Sequence, residues 1–525
     1  MKTKQTILIL YVSLFYVQVL AQVDTAWVRR YHGAGFADSY PTALSVDASG
    51  NVYVTGYIYD RVTLNDYTTI KYAPNGDTLW VRRYQGPNNA EDAAAALAVD
   101  ESGNVYVTGS SGIGTSVDYV TIKYAPNGDS LWVSIYNGPG NNSDYSTAVA
   151  VDRSGNVYVT GNSYGSGTEL DYATIKYAPN GDTLWVRRYN GPGSGHDYAT
   201  GLAVDGTGNV YVTGYSYGGM VTTTDYTTIK YAPNGDTIWV RRYNGPNDAV
   251  EEAVAMVLDN SGNVYVTGKT DAFPREPILD YTTIKYAPNG DTLWVRMYND
   301  PQNSQDFAKT VAVDYSGNVL VTGSSYGGVA DYVDYATIKY GPNGDSLWLR
   351  KFTGTGNSWD EATALAVDKA GNVFVTGSSY NIYGEKRNDY ATIKYAPNGD
   401  SLAVRLYNGP GNDTDYPTAL AVDDSGNVYV TGYSWNGFNF DYATIKYVHF
   451  GCLAKSGDAN NNGKADLGDI IFQANWIFKD GPLPVTYCTG DVDGDGSITF
   501  LDLIYLINYL FENGPRPIKS GVCCL

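Results

Sequence analysis

Two short segments near the C-terminus carry oxygen-bearing side chains at the spacing of a calcium-binding loop. They read DANNNGKADLGD (458–469) and DVDGDGSITFLD (491–502), and each has glycine at loop position 6. Side chains at positions 1, 3, 5, 9 and 12 and the carbonyl at position 7 form a hard oxygen donor set that suits Ca²⁺. Two complete copies predict two sites. The predicted ligands are Asp458, Asn460, Asn462, the Lys464 carbonyl, Asp466 and Asp469 in the first loop, and Asp491, Asp493, Asp495, the Ser497 carbonyl, Thr499 and Asp502 in the second.

A second set of acids recurs at regular intervals through the rest of the chain. Each stands eight residues before the aspartate of a repeated Val-Asp pair, and the first repeat has Ser39 at this position. In a closed ring of repeats these acids would surround a channel mouth and attract cations. The alternative is that each side chain hydrogen-bonds its own loop. The set comprises Asp92, Asp144, Asp197, Glu251, Asp306, Asp360 and Asp415.

Histidines are too few to indicate a repeated catalytic or metal centre. Only His32, His196 and His449 occur, and none recurs with the repeat. Three G-x-S-x-G matches fall in hairpin loops, whereas a nucleophile elbow requires a strand-to-helix turn. Carboxylates repeat eight-fold, and a glycosidase needs two carboxyl groups in different environments. We therefore predict no catalytic residue.

Three phrases recur in fixed order and define a period of 52 to 55 residues. They are VDxSGNVYVTG, DYxTIKYxPNGD and LWVRRY, with variants. Val, Ile, Thr, Tyr and Trp dominate four short runs per period, which is typical of strands, and Asp-x-Ser-Gly-Asn and Pro-Asn-Gly-Asp supply the turns. Four antiparallel strands repeated without helices indicate a propeller blade. The repeated aspartate of the first phrase, a predicted turn former, is Asp47, Asp100, Asp152, Asp205, Asp259, Asp314, Asp368 and Asp423.

The two ends of the repeat region are complementary. The region begins with a fourth strand, Thr25 to Tyr31, and ends with a third strand, Asp441 to Tyr447. Pairing these strands would close the ring and remove both exposed sheet edges. The sequence therefore predicts an all-β, eight-bladed propeller of four-stranded antiparallel blades closed by the N-terminal strand. A small α-helical module with paired calcium loops is predicted to follow it.

The repeated phrases resemble the SBBP family of bacterial β-propeller repeats over about residues 25 to 447. The resemblance implies exported or surface-associated proteins; the family label implies seven blades, whereas this chain carries eight sets. The paired calcium loops, each with Asp at position 12 and an apolar run after it, resemble a type I dockerin over about residues 457 to 511. That resemblance implies a calcium-dependent fold and a cohesin-like or other surface partner. Leu467-Gly468 and Phe500-Leu501 stand where cohesin-binding dockerins favour small hydroxyl residues.

Variation among the repeats is concentrated in two connections that share one face of an up-down blade. Strands two and three are joined by segments such as 57–65, 215–224, 269–279 and 378–388, and strands four and one by segments such as 190–200. Tyr, Ser, Asn and Gly dominate these segments, a composition typical of binding surfaces. We expect a ligand on this face and refer to it as the variable face; the other is the uniform face.

The chain ends and overall charge suggest export. Lys2 and Lys4 precede an apolar run, and cleavage is expected after about Ala21. A net charge of −20 disfavours nucleic acid as a partner. The predicted organisation is a signal peptide (1–21), propeller (25–448), linker (449–456), dockerin-like domain (457–514) and Cys-containing tail (515–525). The cysteines are Cys452, Cys488, Cys523 and Cys524, whose pairing the sequence leaves open.

These observations favour a secreted or cell-surface protein without catalytic activity. The propeller would bind a glycan or protein, and the calcium module would attach it to a partner. A secreted propeller enzyme acting on polysaccharide and a structural surface or adhesion protein are the alternatives. No membrane span is expected in the mature chain.

Overall fold

The structure is a computed structural model, and two ranges of the chain can be described. The first is 25–448, except for 34–36, 61–63, 88–89, 115, 220–222, 247, 272–277, 328–331, 355–358 and 382–386. The second is 459, 467–479, 492 and 499–512. The predicted signal peptide and all four cysteines lie outside these residues. The chain forms two compact units, one of which spans Thr25–Gly451 and the other of which contains the two C-terminal helices.

The first unit consists of 32 strands in eight four-stranded antiparallel sheets. Blades 1 to 7 each use four consecutive strands, from β2–β5 to β26–β29, and blade 8 has the order β30, β31, β32, β1. The first strands are β2 (Ser39–Val46), β6 (Asp92–Val99), β10 (Asp144–Val151), β14 (Asp197–Val204), β18 (Glu251–Leu258), β22 (Asp306–Val313), β26 (Asp360–Val367) and β30 (Asp415–Val422). The second strands are β3 (Val52–Asp60), β7 (Val105–Ile113), β11 (Val157–Tyr164), β15 (Val210–Tyr217), β19 (Val264–Asp271), β23 (Val319–Tyr326), β27 (Val373–Asn381) and β31 (Val428–Trp435).

The outer half of each blade is equally regular. The third strands are β4 (Leu64–Tyr72), β8 (Ser116–Tyr124), β12 (Leu170–Tyr177), β16 (Thr224–Tyr231), β20 (Leu279–Tyr286), β24 (Val333–Tyr340), β28 (Arg387–Tyr395) and β32 (Phe440–Tyr447). The fourth strands are β5 (Thr78–Tyr84), β9 (Ser130–Tyr136), β13 (Thr183–Tyr189), β17 (Thr237–Tyr243), β21 (Thr292–Tyr298), β25 (Ser346–Phe352), β29 (Ser401–Tyr407) and β1 (Thr25–Tyr31).

The ring closes where the sequence predicts. Strand β1 pairs antiparallel with β32, from Thr25↔Tyr447 to Tyr31↔Tyr442. Each first strand contacts the first strands of both neighbouring blades, and β2 contacts β30. The first strands are therefore innermost. The eight-bladed, all-β prediction is confirmed.

The core lies between successive blades. One cluster joins Tyr53 and Trp80 of blade 1 to Val105, Val107 and Ile122 of blade 2. The five side chains are at most 7% exposed. Comparable clusters recur around the ring. Because each blade buries its apolar face against a neighbour, closing the ring also covers the apolar faces of the first and last blades.

A tryptophan on the fourth strand joins seven of the eight blades to the blade that follows. Trp80 Nε1 donates to the carbonyl of Pro126 at 3.0 Å, in the Pro-Asn-Gly-Asp turn of the following blade. Seven tryptophans make this bond at 3.0–3.1 Å: Trp27, Trp80, Trp132, Trp185, Trp239, Trp294 and Trp348. Blade 8 lacks the Pro-Asn-Gly-Asp sequence, and Ala403 stands at the tryptophan position of blade 7. The one blade without the tryptophan donor therefore precedes the one blade without the acceptor turn.

Parts of the segments expected as loops between strands two and three are strand. In blade 1, β3 and β4 remain paired as far as Asp60↔Leu64, so most of 57–65 is ordered ladder. In blade 7 the pairing reaches Asn381↔Arg387, within 378–388. Alternating aromatic and polar residues suit a pleated strand, and they extend the hairpins on the variable face.

Two helices make up the described part of the C-terminal unit. They are α1 (Leu467–Lys479) and α2 (Phe500–Phe511), and they follow the two predicted calcium loops. The helices contact each other, with the rings of Phe478 and Phe500 5.8 Å apart. Thr499 caps α2, since its hydroxyl accepts from Leu501 N at 3.1 Å. Within the described residues, no helix is long and apolar enough to cross a membrane.

Candidate functional site

The seven acids predicted to ring a channel mouth are the first residues of the innermost strands, and all are fully buried. Asp144 is representative: its carboxylate accepts from Gly138 N at 2.5 Å and from Tyr164 N at 3.0 Å. Six of the seven accept from a backbone N–H six residues earlier. These carboxylates therefore hold the connection between blades, which is the alternative interpretation, and they present no charge to solvent.

Burial makes these carboxylates unusually weak acids. It raises the pKa of Glu251 to about 8 and that of Asp306 to about 6. The same cause raises the pKa of Asp360 to about 6. Hydrogen bonds from backbone N–H groups oppose the shift, because they favour the ionised form.

A second aspartate begins the repeated phrase of each third strand, and it is buried in seven of the eight blades. In four blades an arginine on the fourth strand neutralises it, as Arg83 does for Asp66 at 2.8 Å. The other three pairs are Arg188–Asp171, Arg242–Asp225 and Arg30–Asp441. In three blades the arginine position is apolar: Ile135, Met297 or Leu406.

Where the arginine is absent, the aspartate is a weak acid. Burial, together with the charges of Asp306 and Asp271, raises the pKa of Asp280 to about 7. Burial and the charge of Asp415 raise the pKa of Asp389 to about 6. Asp280 is 2% exposed, and its Oδ1 has no hydrogen-bond partner in the described part of the chain.

The uniform face is built from the repeated turn aspartates. Asp47 accepts from Ser49 N and Asn51 N at 2.9 Å and from the hydroxyl of Tyr53 at 2.8 Å. Although burial opposes it, these bonds and one from the Asn51 side chain lower the pKa of Asp47. Between these turns lie inter-blade pockets, one of about 430 Å³ lined by residues that include Lys176 and Asp205. Most of the lining side chains recur from blade to blade, but the residue after each turn aspartate differs. Arg153 and Gly206 line this pocket, whereas Glu101 and Arg153 line the one between blades 2 and 3.

The variable face is different, because one position of the innermost strand changes from blade to blade. This is the second residue, which follows the buried acid (Ser39 in blade 1) and lies at the end of the strand that the inter-blade connection enters. Five of the eight residues are aromatic, two are glutamate, one is alanine and none is basic. We call the set the mouth ring; it comprises Tyr40, Ala93, Tyr145, Tyr198, Glu252, Phe307, Glu361 and Tyr416.

Sequence reasoning missed the mouth ring. It selected the acid one residue earlier, which recurs in seven repeats and is structural. Aligning the eight repeats could have revealed it. Within a largely repetitive strand, this position carries an aromatic, acidic or small side chain, depending on the blade.

The mouth ring contributes to three aromatic clusters that bridge neighbouring blades. At the closure point, the ring of Tyr40 lies 5.4 Å from Tyr57 and 5.2 Å from Tyr433 of blade 8, and Tyr433 lies 5.2 Å from Phe440. Tyr416 stacks 5.3 Å from Tyr433. The cluster therefore extends along the mouth of blades 8 and 1.

The other two clusters lie further around the ring. Between blades 3 and 4, His196 lies 6.5 Å from Tyr164 and 5.9 Å from Tyr198. Between blades 6 and 7, Tyr326 lies 5.9 Å from Phe307 and 5.8 Å from Trp359. Trp359 is 49% exposed. Rigid aromatic groups provide contact area at a low entropic cost.

Three of the twelve predicted calcium ligands lie in the described residues: Asp469, Thr499 and Asp502. The carboxylates of Asp469 and Asp502, at position 12 of their loops, are fully buried. Asp502 accepts from Val492 N at 2.8 Å and from Thr499 N at 2.7 Å. The other nine predicted ligands, Asp458 to Asp466 and Asp491 to Ser497, lie outside the described residues. Among those described, no group of three or more His, Cys, Asp or Glu side chains is arranged to hold a metal ion.

This combination of a closed ring and a variable mouth defines a β-propeller repeat protein. A model of the SBBP β-propeller repeat matches eight segments that cover more than half of the chain, and the chain belongs to that family. The matched residues are 27–60, 80–114, 132–167, 184–219, 238–274, 300–329, 347–384 and 404–439. The family prediction is confirmed with eight repeats.

Two known proteins are similar to this chain over part of its length. The chain is 25% identical over 328 residues to uncharacterized WD repeat-containing protein L264 of Acanthamoeba polyphaga mimivirus, covering 50% of this chain and 22% of that protein. The chain thus spans about a fifth of that relative's length. The crystal structure of Sqt1 from Chaetomium thermophilum is similar with a TM-score of 0.52 at 9% identity, covering 81% of this chain and 99% of that one. At this identity the similarity shows the fold alone.

Proposed function

We propose that this chain is an exported, non-catalytic binding protein whose mouth ring holds a protein or glycan ligand. The observation that carries the proposal is the composition of the mouth ring. Five aromatic and two acidic side chains occupy one position in eight otherwise similar strands. Packing does not require this variation, because alanine fills the position in blade 2.

The rigid scaffold beneath the ring supports the same proposal. The buried acids hold inter-blade connections, and the tryptophan bonds join seven of the eight blades to the blade that follows. Binding side chains on a rigid framework lose little conformational entropy when a ligand arrives. Six of the seven acids one residue away accept structural hydrogen bonds from the backbone, so the mouth supports recognition better than acid–base catalysis.

The C-terminal unit is proposed to be a dockerin-like module that binds two calcium ions and attaches the protein to a surface partner. Asp469 and Asp502 support this proposal, because two fully buried carboxylates occupy corresponding positions at the start of helices α1 and α2. With the other predicted ligands they offer the oxygen donors that Ca²⁺ prefers. Bound calcium would neutralise these acids and tie each loop to its helix. The proposal that the protein is exported rests on the predicted signal peptide, residues 1–21.

The test is a paired screen with the mature chain. Wild type and a variant with Tyr40, Tyr198 and Tyr416 changed to alanine are applied to a glycan array and to fractionated extracellular protein. We expect a ligand that binds the wild type and is lost with the variant, while circular dichroism shows both folded. A ligand that binds both equally would place recognition elsewhere.

A further inference from the structure

One mouth-ring site is filled by a cation from the chain itself. In blade 5, Glu252 pairs across the sheet with Lys269, whose Nζ lies 2.9 Å from the Glu252 carboxylate. The same ammonium lies 5.7 Å from the ring centre of Phe307, the mouth-ring residue of blade 6. A carboxylate and an aromatic face from adjacent blades thus hold one lysine. Both interactions favour a cation.

Two blades later a glutamate and an aromatic residue again occupy these two positions, without the lysine. Glu361 of blade 7 occupies the position of Glu252, and Tyr416 of blade 8 occupies the position of Phe307. The residue paired with Glu361 is Ser378, where blade 5 has Lys269. Within the described residues, no lysine or arginine forms an ion pair with Glu361.

The surroundings of Glu361 favour a positive ligand. Burial raises the pKa values of Tyr326 and Tyr416, and the negative charge of Glu361 also raises them. Asn388 donates to the hydroxyl of Tyr416 at 2.8 Å and fixes that ring. Elsewhere on the mouth, Asp38 lies close to Tyr40 and acts on it in the same way. The chain as a whole carries a net charge of −20, which attracts cationic partners from a distance.

We infer that Glu361 and Tyr416 form a receptor for a lysine or arginine side chain of a basic polypeptide segment. The inference rests on the proposed function and names the class of ligand. The incoming cation would take the place that Lys269 occupies in blade 5. An ammonium or guanidinium group fits both the carboxylate and the aromatic face.

The experiment measures fluorescence anisotropy of three labelled dodecapeptides on the full mature chain. One contains four arginines among Gly and Ser, one has citrulline in place of arginine, and one has glutamate. Citrulline keeps the shape and removes the charge. We expect binding of the arginine peptide only, weakened by added salt. Equal binding of the citrulline peptide would overturn the inference.

Variants that add a lysine to blade 7 or remove Lys269 from blade 5 test where the peptide binds. Ser378→Lys should fill the receptor from within and weaken arginine-peptide binding about tenfold or more. Ser110→Lys is the matched control, because it adds the same charge at the same strand position, opposite Ala93 rather than a glutamate. It should change affinity less than about twofold. Lys269→Ser should open a second receptor at Glu252 and Phe307 and strengthen binding.

Charge removal provides an independent check. Glu361→Gln should weaken binding about fivefold or more, whereas Glu101→Gln, an exposed residue in a turn of the uniform face, should have little effect. Equal losses in these two variants would indicate nonspecific attraction and would overturn the inference. Maltoheptaose is titrated in parallel. Its binding, lost in Tyr416→Ala, together with no binding of the arginine peptide, would reject the basic ligand and retain the proposed function.

Discussion

The guanidinium of Arg188 donates a hydrogen bond of 2.8 Å to the buried carboxylate of Asp171, and this pair recurs in four blades. Asp171 is 4% exposed, so the cation replaces the water that an ionised carboxylate would otherwise need. Blade 5 has the same aspartate, Asp280, but Met297 in place of the arginine. The chain thus contains this buried aspartate both with an arginine partner, as in Asp171, and with methionine at the arginine position, as in Asp280.

Supplying the missing cation should stabilise blade 5. Met297 is paired with Thr282 as Arg188 is paired with Ala173, so Met297→Arg places a guanidinium at the equivalent position. We expect a gain of about 1 kcal/mol in the free energy of unfolding at pH 8. The reverse change, Arg188→Met, should cost about 1–3 kcal/mol, because it leaves Asp171 buried without its donor. Denaturant titration of both variants beside the wild type measures the two effects. Destabilisation by Met297→Arg would contradict the assignment.

Stability should decrease between pH 5.5 and pH 8.5. The raised pKa values of Asp306, Asp280 and Glu251, about 6, 7 and 8, exceed those of free carboxyl groups, about 4. In this window the folded chain retains protons that the unfolded chain has released, so raising the pH favours unfolding. The melting temperature should therefore be higher at pH 5.5.

Asp280→Asn isolates one contributor to this dependence. Asparagine keeps the shape of the side chain and cannot ionise, so the difference in melting temperature between the two pH values should shrink. The same pH difference in wild type and variant would mean that Asp280 does not carry a raised pKa.

The overall fold could be predicted from sequence because its determinants are local and repeated. Eight copies of the turn phrases fix the hairpins, and the unpaired strands at Thr25 and Tyr447 indicate how the ring closes. The extended hairpins were not predicted, because Tyr-rich segments fit both a loop and a pleated strand. Irregular pairing in the first strands, as between Ala94 and Ala96, also left no sequence signal.

The candidate site was harder to predict because residues that are in contact at the mouth come from different blades. Tyr40 and Tyr433 are almost 400 residues apart in the chain and 5.2 Å apart at the mouth. The recurrent acids attracted attention through their regularity, yet burial gives them a structural role. The lysine that fills the blade 5 site became visible only when Lys269, Glu252 and Phe307 were brought together in space.

Calcium should bind the C-terminal unit at two sites. Titration calorimetry of the full mature chain is expected to show about two Ca²⁺ ions per chain. Asp469→Ala and Asp502→Ala should each remove one, since each deletes a carboxylate at position 12 of one loop. Asp47→Asn, in a turn of the propeller, serves as the control and should leave both sites intact. A stoichiometry unchanged by the two alanine variants would refute the assignment of these ligands.

The tryptophan that joins successive blades should stabilise the ring only where the following turn provides an acceptor. Trp239 is 5% exposed and donates to Pro288 at 3.1 Å, so Trp239→Ala should cost about 3–5 kcal/mol through lost packing and a lost hydrogen bond. Ala403→Trp restores the repeat consensus in blade 7, but blade 8 has no Pro-Asn-Gly-Asp turn to receive the indole. We therefore expect no gain in thermal stability from this consensus change. A clear increase in melting temperature for Ala403→Trp would show that the indole finds another partner there, and that the acceptor turn does not explain the alanine.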